Sequence, residues 1–270
     1  MSKLKLAPHP SGLTIAFEDK RHIYYVHDDG SDYGDLNWAK NIKFTSGTAF
    51  IGQFFPKFEK QKISARYAKK HCMKQQDVLD DWAERGRIGR EDGTAVHDYA
   101  EQVVLGLRSK KENAFDLGKV DPSVNQRVHN MQGQAVRALE YLSRDYSFLE
   151  PEMIVASLDL GIAGMLDLPA VNKRTGVKVI FDYKTNKEIK TENIWQSGLT
   201  PIKHLQDTNF NHYCLQLNLY EYLGRRDGYY DKNEPVDKTL IHITEDDFTL
   251  MPCFDMQSNI EKMMEVFHGK

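Results

Sequence analysis

The run V-K-V-I-F-D-Y-K-T-N-K, residues 177–187, ends an apolar stretch with a carboxylate, Asp182, and an ammonium, Lys184. Side chains alternate along a strand. Val177, Val179 and Phe181 therefore share one face, and Ile180, Asp182 and Lys184 share the other. At a solvated strand end such a pair is an ion bridge worth about 0–1 kcal/mol. Next to a further acid the same pair would form a site for a divalent cation. That acid is Asp167 in G-M-L-D-L-P, set in apolar company where an unpaired charge is costly. The turn N-K-R-T-G, residues 172–176, predicts a hairpin that brings Asp167 near Asp182. Two close carboxylates repel, and a divalent cation relieves the repulsion. The plain alternative for Asp167 is a turn or cap residue. Asp159 competes for the same role but lacks a preceding glycine placed like Gly164.

Two further pairs have helical spacing. G-T-A-V-H-D-Y-A-E puts His97 and Glu101 four apart, and Q-L-N-L-Y puts Gln216 and Tyr220 four apart. Each pair taken singly reads as solvated surface or satisfied core.

The elements that must position these residues follow from periodicity. Residues 12–27 predict two short strands around the turn E-D-K-R, and residues 28–35 a loop. Ser46 is a candidate N-cap, and a helical region extends from it through Trp82. Residues 94–107 predict a helix with Ala95, Tyr99 and Val103 on one face. D-P-S at 121–123 predicts the start of another helix, running to about Tyr146. Residues 152–159, 161–171 and 177–184 predict strands. Residues 212–223 predict a helix, 238–244 a strand and 256–267 an amphipathic helix. The order predicts an α+β or mixed α/β fold with one central sheet flanked by helices.

Composition sets bounds. The chain has 270 residues, 40% hydrophobic, with net charge −3, so no global positive field announces a polyanion partner. Three cysteines, Cys72, Cys214 and Cys253, lie far apart without a C-x-x-C, which argues against a zinc knuckle or an iron–sulfur cluster. No signal-like or membrane-spanning run is present, and the expectation is an intracellular, cytoplasmic protein without membrane partners.

Taken together, the motifs resemble the RecB-type branch of the P-D-(D/E)-x-K nuclease superfamily. The branch carries a helix with G-x-x-x-H-x-x-x-E, then G-x-x-D, D-x-K and Q-x-x-x-Y, in that order. Here they stand as Gly93 to His97 and Glu101, Gly164 to Asp167, Asp182-Tyr-Lys184, and Gln216 to Tyr220. The match covers about residues 80–225. The segment S-G-T-A-F-I-G-Q-F-F-P-K-F is similar to the entry segment of phage and mitochondrial-genome-maintenance-type exonucleases. The first 40 residues match no motif of the family. Helicase-linked relatives add four cysteines for an iron–sulfur cluster, which this chain lacks.

The resemblance implies a restriction-endonuclease-like central mixed sheet. Residues 1–45, with their two predicted strands, are set apart as an N-terminal β-hairpin extension, and the resemblance implies 46–270 as one nuclease domain, helical over 46–150 with its catalytic sheet over 151–250. It implies Mg²⁺ or Mn²⁺ held by Asp167, Asp182, the Tyr183 carbonyl and His97. Lys184 would stabilise developing negative charge or orient a water, and adjacent carboxylates favour the first role. Glu101 and Glu152 are implied as carboxylates behind the ligands or at a second metal. Gln216 and Tyr220 would position Lys184 or a phosphate. Lys173, Arg174, Lys178, Lys187 and Lys190 are candidates for tracking a polynucleotide backbone, or an ordinary solvated hairpin turn. The implied activity is an exonuclease on single-stranded DNA or duplex ends, acting with a replication or recombination partner. The alternatives are an endonuclease such as a junction resolvase, or an inactive nuclease fold used as a scaffold.

Overall fold

The computed structural model describes residues 4–111 and 125–268. In chain order, β1 (Leu4–Pro8), β2 (Thr14–Glu18) and β3 (Ile23–Val26) form an antiparallel sheet. The predicted pair of strands is present as β2 and β3, and β1 is a third strand that periodicity did not reveal. Next come β4 (Thr45–Ser46), α1 (Gly47–Gly52), α2 (Lys60–Lys70), α3 (Gln75–Arg108) and α4 (Gln126–Leu142). The strands β5 (Tyr146–Phe148), β6 (Met153–Ser157), β7 (Ile162–Leu166), β8 (Leu168–Asn172) and β9 (Lys178–Lys184) follow. The chain closes with α5 (Asn209–Arg226), β10 (Val236–Ile243), β11 (Phe248–Pro252) and α6 (Gln257–His268). The fold is mixed α/β.

The central sheet has the order β11-β10-β9-β8-β5, and β6, β7 and β4 make a separate small sheet. Strand β10 runs parallel to β9, with α5 as the crossover between them. The other pairs of the central sheet are antiparallel. One face of β9 and β10 presents Val179, Phe181, Tyr183, Ile241 and Ile243 to Val96, Val103 and Leu139 of α3 and α4. The other face presents Ile180 and Leu240 to Leu215, Leu219 and Met263 of α5 and α6. The predicted division of faces along β9 is therefore the one that packs. A third core joins Ile15, Phe17, Tyr24 and Val26 to Ile154, Ala156 and Ala163, so the N-terminal sheet lies on β6 and β7.

Two elements differ from expectation in ways that matter for the site. Residues 161–171 are not one strand. They break at Asp167: β7 pairs with β6, while β8 pairs with β9. Helix α3 is continuous through Gly86, Gly89 and Gly93, where two helical stretches were expected. Each interior glycine costs about 1 kcal/mol against alanine. Ion pairs one turn apart, Arg85–Asp81, Arg87–Glu84 and Arg87–Glu91, support the same turns. Ser46 caps α1 by accepting from the Ala49 amide at 3.3 Å. Asn125 caps α4 by accepting from the Val128 amide at 3.0 Å, and the predicted helix start at 121–123 lies outside the described residues. Among the described residues no helix is long and apolar enough to cross a membrane.

Candidate active site

The site forms where the break at Asp167 meets the end of β9. In the antiparallel register Leu168 stands opposite Phe181. The next step outward leaves Asp167 beside Asp182. There the Asp167 side chain replaces a ladder bond, its Oδ2 accepting from the Tyr183 amide at 3.0 Å. On the other side the Glu152 amide donates to the Asp167 carbonyl at 2.9 Å. One aspartate thus closes the ends of two sheets.

Asp182 is 1% exposed, far from a solvated strand end. Its Oδ2 pairs with the Lys184 ammonium, which also lies 4.6 Å from the Tyr213 ring centroid. Burial pulls the Lys184 ammonium down, but Asp182 and Asp167 outweigh it and the net shift is upward. Lys184 is held as a cation and is unsuited to act as a general base near neutral pH. Asp167 is pushed well above the carboxylate range, first by burial and then by the charge of Asp182, with Lys184 opposing.

His97 reaches the same point from α3, its Nδ1 3.4 Å from Asp167 Oδ2. Its ring meets Tyr183 edge-on at 5.5 Å. Burial, and then the Lys184 charge, lower its pKa, so the imidazole is neutral and its lone pair is available. The helix comes this close because Gly93 has no side chain: a Cβ there would stand 3.1 Å from Thr185 Oγ1.

Glu152 completes the group. It sits just before β6 with φ of 53°, a left-handed conformation that a residue with a Cβ adopts at a cost. One ligand-capable atom from each of His97, Glu152 and Asp167 lies within 4.8 Å of the others. One nitrogen and two carboxylate oxygens, without a thiolate, fit a hard to borderline divalent cation such as Mg²⁺ or Mn²⁺. Asp182 is outside this group of three; its Oδ2 pairs with Lys184, and its charge acts on Asp167 beside it. The Tyr183 main chain lies at the same point, bonded to Asp167 through its N–H and to His97. Glu101 reaches the group indirectly. It accepts from Lys5 Nζ at 3.0 Å, and the same ammonium donates to Glu152 at 3.2 Å.

Gln216 and Tyr220 pair with each other beside the site. Gln216 donates to the Tyr220 hydroxyl at 3.0 Å, and among the described residues neither hydrogen-bonds Lys184. The Tyr220 ring lies on Gly164 and Gly47. Both Gln216 and Tyr220 line the cleft with Asp167, Asp182 and Lys184. Asp159 sits apart, 3.8 Å from Arg226. Lys173 donates to the Ser143 carbonyl and Lys178 pairs with Glu234. With Arg174 they occupy the hairpin end of β9, about 20 Å from Lys184 at about 3.3 Å per residue. Those three do not border the site. Lys187 and Lys190 follow the strand's active end.

The cleft above these groups has a volume of about 400 Å³. Phe17 and Tyr24 of the N-terminal sheet, with Asp19 and His22 of the turn between β2 and β3, form one wall, and Ser46, Gly47 and Thr48 another part of the rim. Sequence reasoning missed this wall and Lys5 because no local pattern marks a contact across so much chain. Glu152 carried a weak signal, an acid directly before an apolar strand.

Comparison with known proteins finds no matching family model and no matching curated protein. The functional reading therefore rests on the site.

Proposed function

We propose that this chain is a metal-dependent nuclease of P-D-(D/E)-x-K type with a restriction-endonuclease-like core, hydrolysing DNA phosphodiester bonds from ends. The observation that carries the reading is the convergence, in one cleft, of His97, Glu152 and Asp167 with a buried Asp182–Lys184 pair. The element order supports it: helices, an antiparallel meander with the D-x-K strand, a crossover helix and a parallel strand.

His97, Glu152 and Asp167 would hold the cation, which supplies Lewis-acid charge at the phosphate when bound. Hydrolysis adds water across a P–O bond, so negative charge builds on phosphoryl oxygens and on the departing sugar oxygen. The Lys184 ammonium would stabilise that charge, kept protonated and fixed in direction by Asp182. A neutral His97 suits a ligand role and cannot donate two protons as an imidazolium would. The buried Tyr220 hydroxyl, held by Gln216, presents a polar group to the cleft wall beside them.

The test compares end-labelled linear DNA with covalently closed circles, with Mg²⁺, with Mn²⁺ and with chelator. Metal-dependent loss of the linear substrate and survival of the circles is the expected result. Nicking of circles would move the protein to an endonuclease such as a junction resolvase. No cleavage of either, with wild-type protein folded and loaded with Mn²⁺, would leave the scaffold reading.

A further inference from the structure

The net charge of −3 conceals an uneven distribution. Helix α2 reads K-Q-K-I-S-A-R-Y-A-K-K and contains no acid. Between residues 57 and 74 the chain holds seven lysines and arginines against one acid, Glu59. Only Lys62 finds that acid, at 2.7 Å, and no other ion pair joins these cations among the described residues. The neighbouring turns of α3 show the opposite habit, with Arg85 and Arg87 neutralised by carboxylates on the same helix. The α2 face therefore keeps its positive charge.

Rings interleave with those cations. Phe58 lies 5.8 Å from Trp82, Trp82 lies 6.1 Å from Tyr67, and Tyr67 lies 4.2 Å from His71. The row is open to solvent, with Phe58 65% and Tyr67 44% exposed. Through Trp82 it shares a helix face with the cleft. Trp82, Gly86, Gly93 and His97 recur on one face of α3, within about 60° at about 100° per residue. Trp82 stands about 16 Å along the axis from Gly93, at about 1.5 Å per residue. Gly86 on that face is overlain by the Arg90 guanidinium, 3.4 Å from where a Cβ would stand, and Gly93 lines the cleft itself.

We propose that α2, together with the Trp82 ring of α3, is a docking platform for single-stranded nucleic acid, leading a strand toward the cleft; the destination rests on the nuclease reading. Cations without acid partners suit a phosphate backbone. Exposed rings suit bases, because every base has a face to stack on and only a single strand leaves those faces free. The rings form a row from Phe58 through Trp82 to Tyr67 and His71, and lysines stand between Phe58, Tyr67 and His71 in the sequence. An anionic membrane would call instead for a continuous apolar stripe on one helix.

The experiment measures binding of a fluorescein-labelled oligothymidylate, about 20 nucleotides long, to full-length protein without divalent metal. Two variants are compared with wild type, both verified by circular dichroism. One is Phe58→Ala with Tyr67→Ala; the other is Lys60→Gln, Arg66→Gln, Lys69→Gln and Lys70→Gln. The aromatic variant should bind about five- to a hundredfold more weakly for each ring that stacks. The charge variant should flatten the logarithmic salt dependence by about 0.7 for each cation that contacts phosphate. Hydrolysis of the p-nitrophenyl ester of thymidine 5′-monophosphate, too short to reach α2, reports the cleft separately and should be unchanged in both variants. Loss of oligothymidylate binding with no ester hydrolysis by any form would keep the platform and remove the nuclease reading. Wild-type oligothymidylate affinity in both folded variants would overturn the platform, whatever the ester shows. So would binding to phosphatidylserine vesicles that both variants lose, with no binding of the oligonucleotide by wild type.

Discussion

The ring of Tyr220 rests on the bare α-carbon of Gly164, where a Cβ would stand 2.1 Å from Cε1. The glycine of G-x-x-D is thus the partner of the tyrosine of Q-x-x-x-Y. Gly164→Ala should destabilise the protein by about 1–3 kcal/mol through overpacking. The cost should be much smaller in a Tyr220→Ala background, because the two changes share one contact. Urea unfolding of the four proteins checks this, and additive effects would contradict the contact.

On the nuclease reading, Lys184→Ala should lower cleavage by about 10²–10³-fold, the usual loss for one charge-stabilising donor. It also strands a buried Asp182, so stability should fall by about 3–5 kcal/mol. Adding Asp182→Asn should return much of the stability but none of the activity. Activity restored by the second change would remove Lys184 from the chemistry.

The ligand assignment separates Glu152 from Asp182. Glu152→Gln should weaken Mn²⁺ binding by about tenfold or more, as should His97→Ala, while Asp182→Asn has a smaller effect. Mn²⁺ should also be bound more tightly than Mg²⁺, which accepts imidazole less readily. Calorimetric titration decides; equal losses for Glu152→Gln and Asp182→Asn would place both carboxylates on the cation.

Metal binding should strengthen as pH rises. In the metal-free protein burial lifts Asp167 well above its ordinary value of 3.8. The folded pKa is raised, so the contribution of Asp167 to stability is full below that value and is lost as pH rises through the folded pKa. A cation needs the ionised form and offsets the loss. Asp167→Asn should therefore be more stable than metal-free wild type at pH values above the folded pKa, and should gain little from Mn²⁺. Thermal unfolding with and without Mn²⁺ across pH measures both. A wild-type gain that shrinks as pH rises would overturn the assignment.

Glu221, buried on α5, takes Lys238 of β10, Arg225 at 2.6 Å and Gln257 at 2.8 Å. Glu221→Ala leaves Lys238 buried without a carboxylate and should cost about 3–5 kcal/mol. Chemical denaturation measures it. A loss below about 1 kcal/mol would show that the cluster contributes no more than a surface pair.

Asp182, Lys184 and Asp167 were legible in the sequence because each breaks an apolar pattern whose period is known. His97 was legible only beside the other motifs, since a lone histidine on a helix carries no local mark. The partition of β9 into two packed faces followed from alternation alone. The break at Asp167 did not, because an apolar run of that length reads as one strand until its two halves find different partners. The resemblance marks Glu152 only as a carboxylate behind the ligands or at a second metal; its place beside Asp167 comes from the β6–β7 pairing and a left-handed turn, and Lys5 arrives from the other end of the chain. Such contacts depend on the assembled fold rather than on any short stretch.

The three ligand-capable residues come from parts of the molecule that are built separately: His97 from a helix, Glu152 from the lip of the small sheet, and Asp167 from the joint between that sheet and the central one. A cation shared by them would fasten those parts together like a rivet. Opening any one would require giving up coordination, so the bound ion would suppress local unfolding across the joint. Amide exchange should slow on β6, at the end of β9 and in the middle of α3 together, giving three distant segments one common protection.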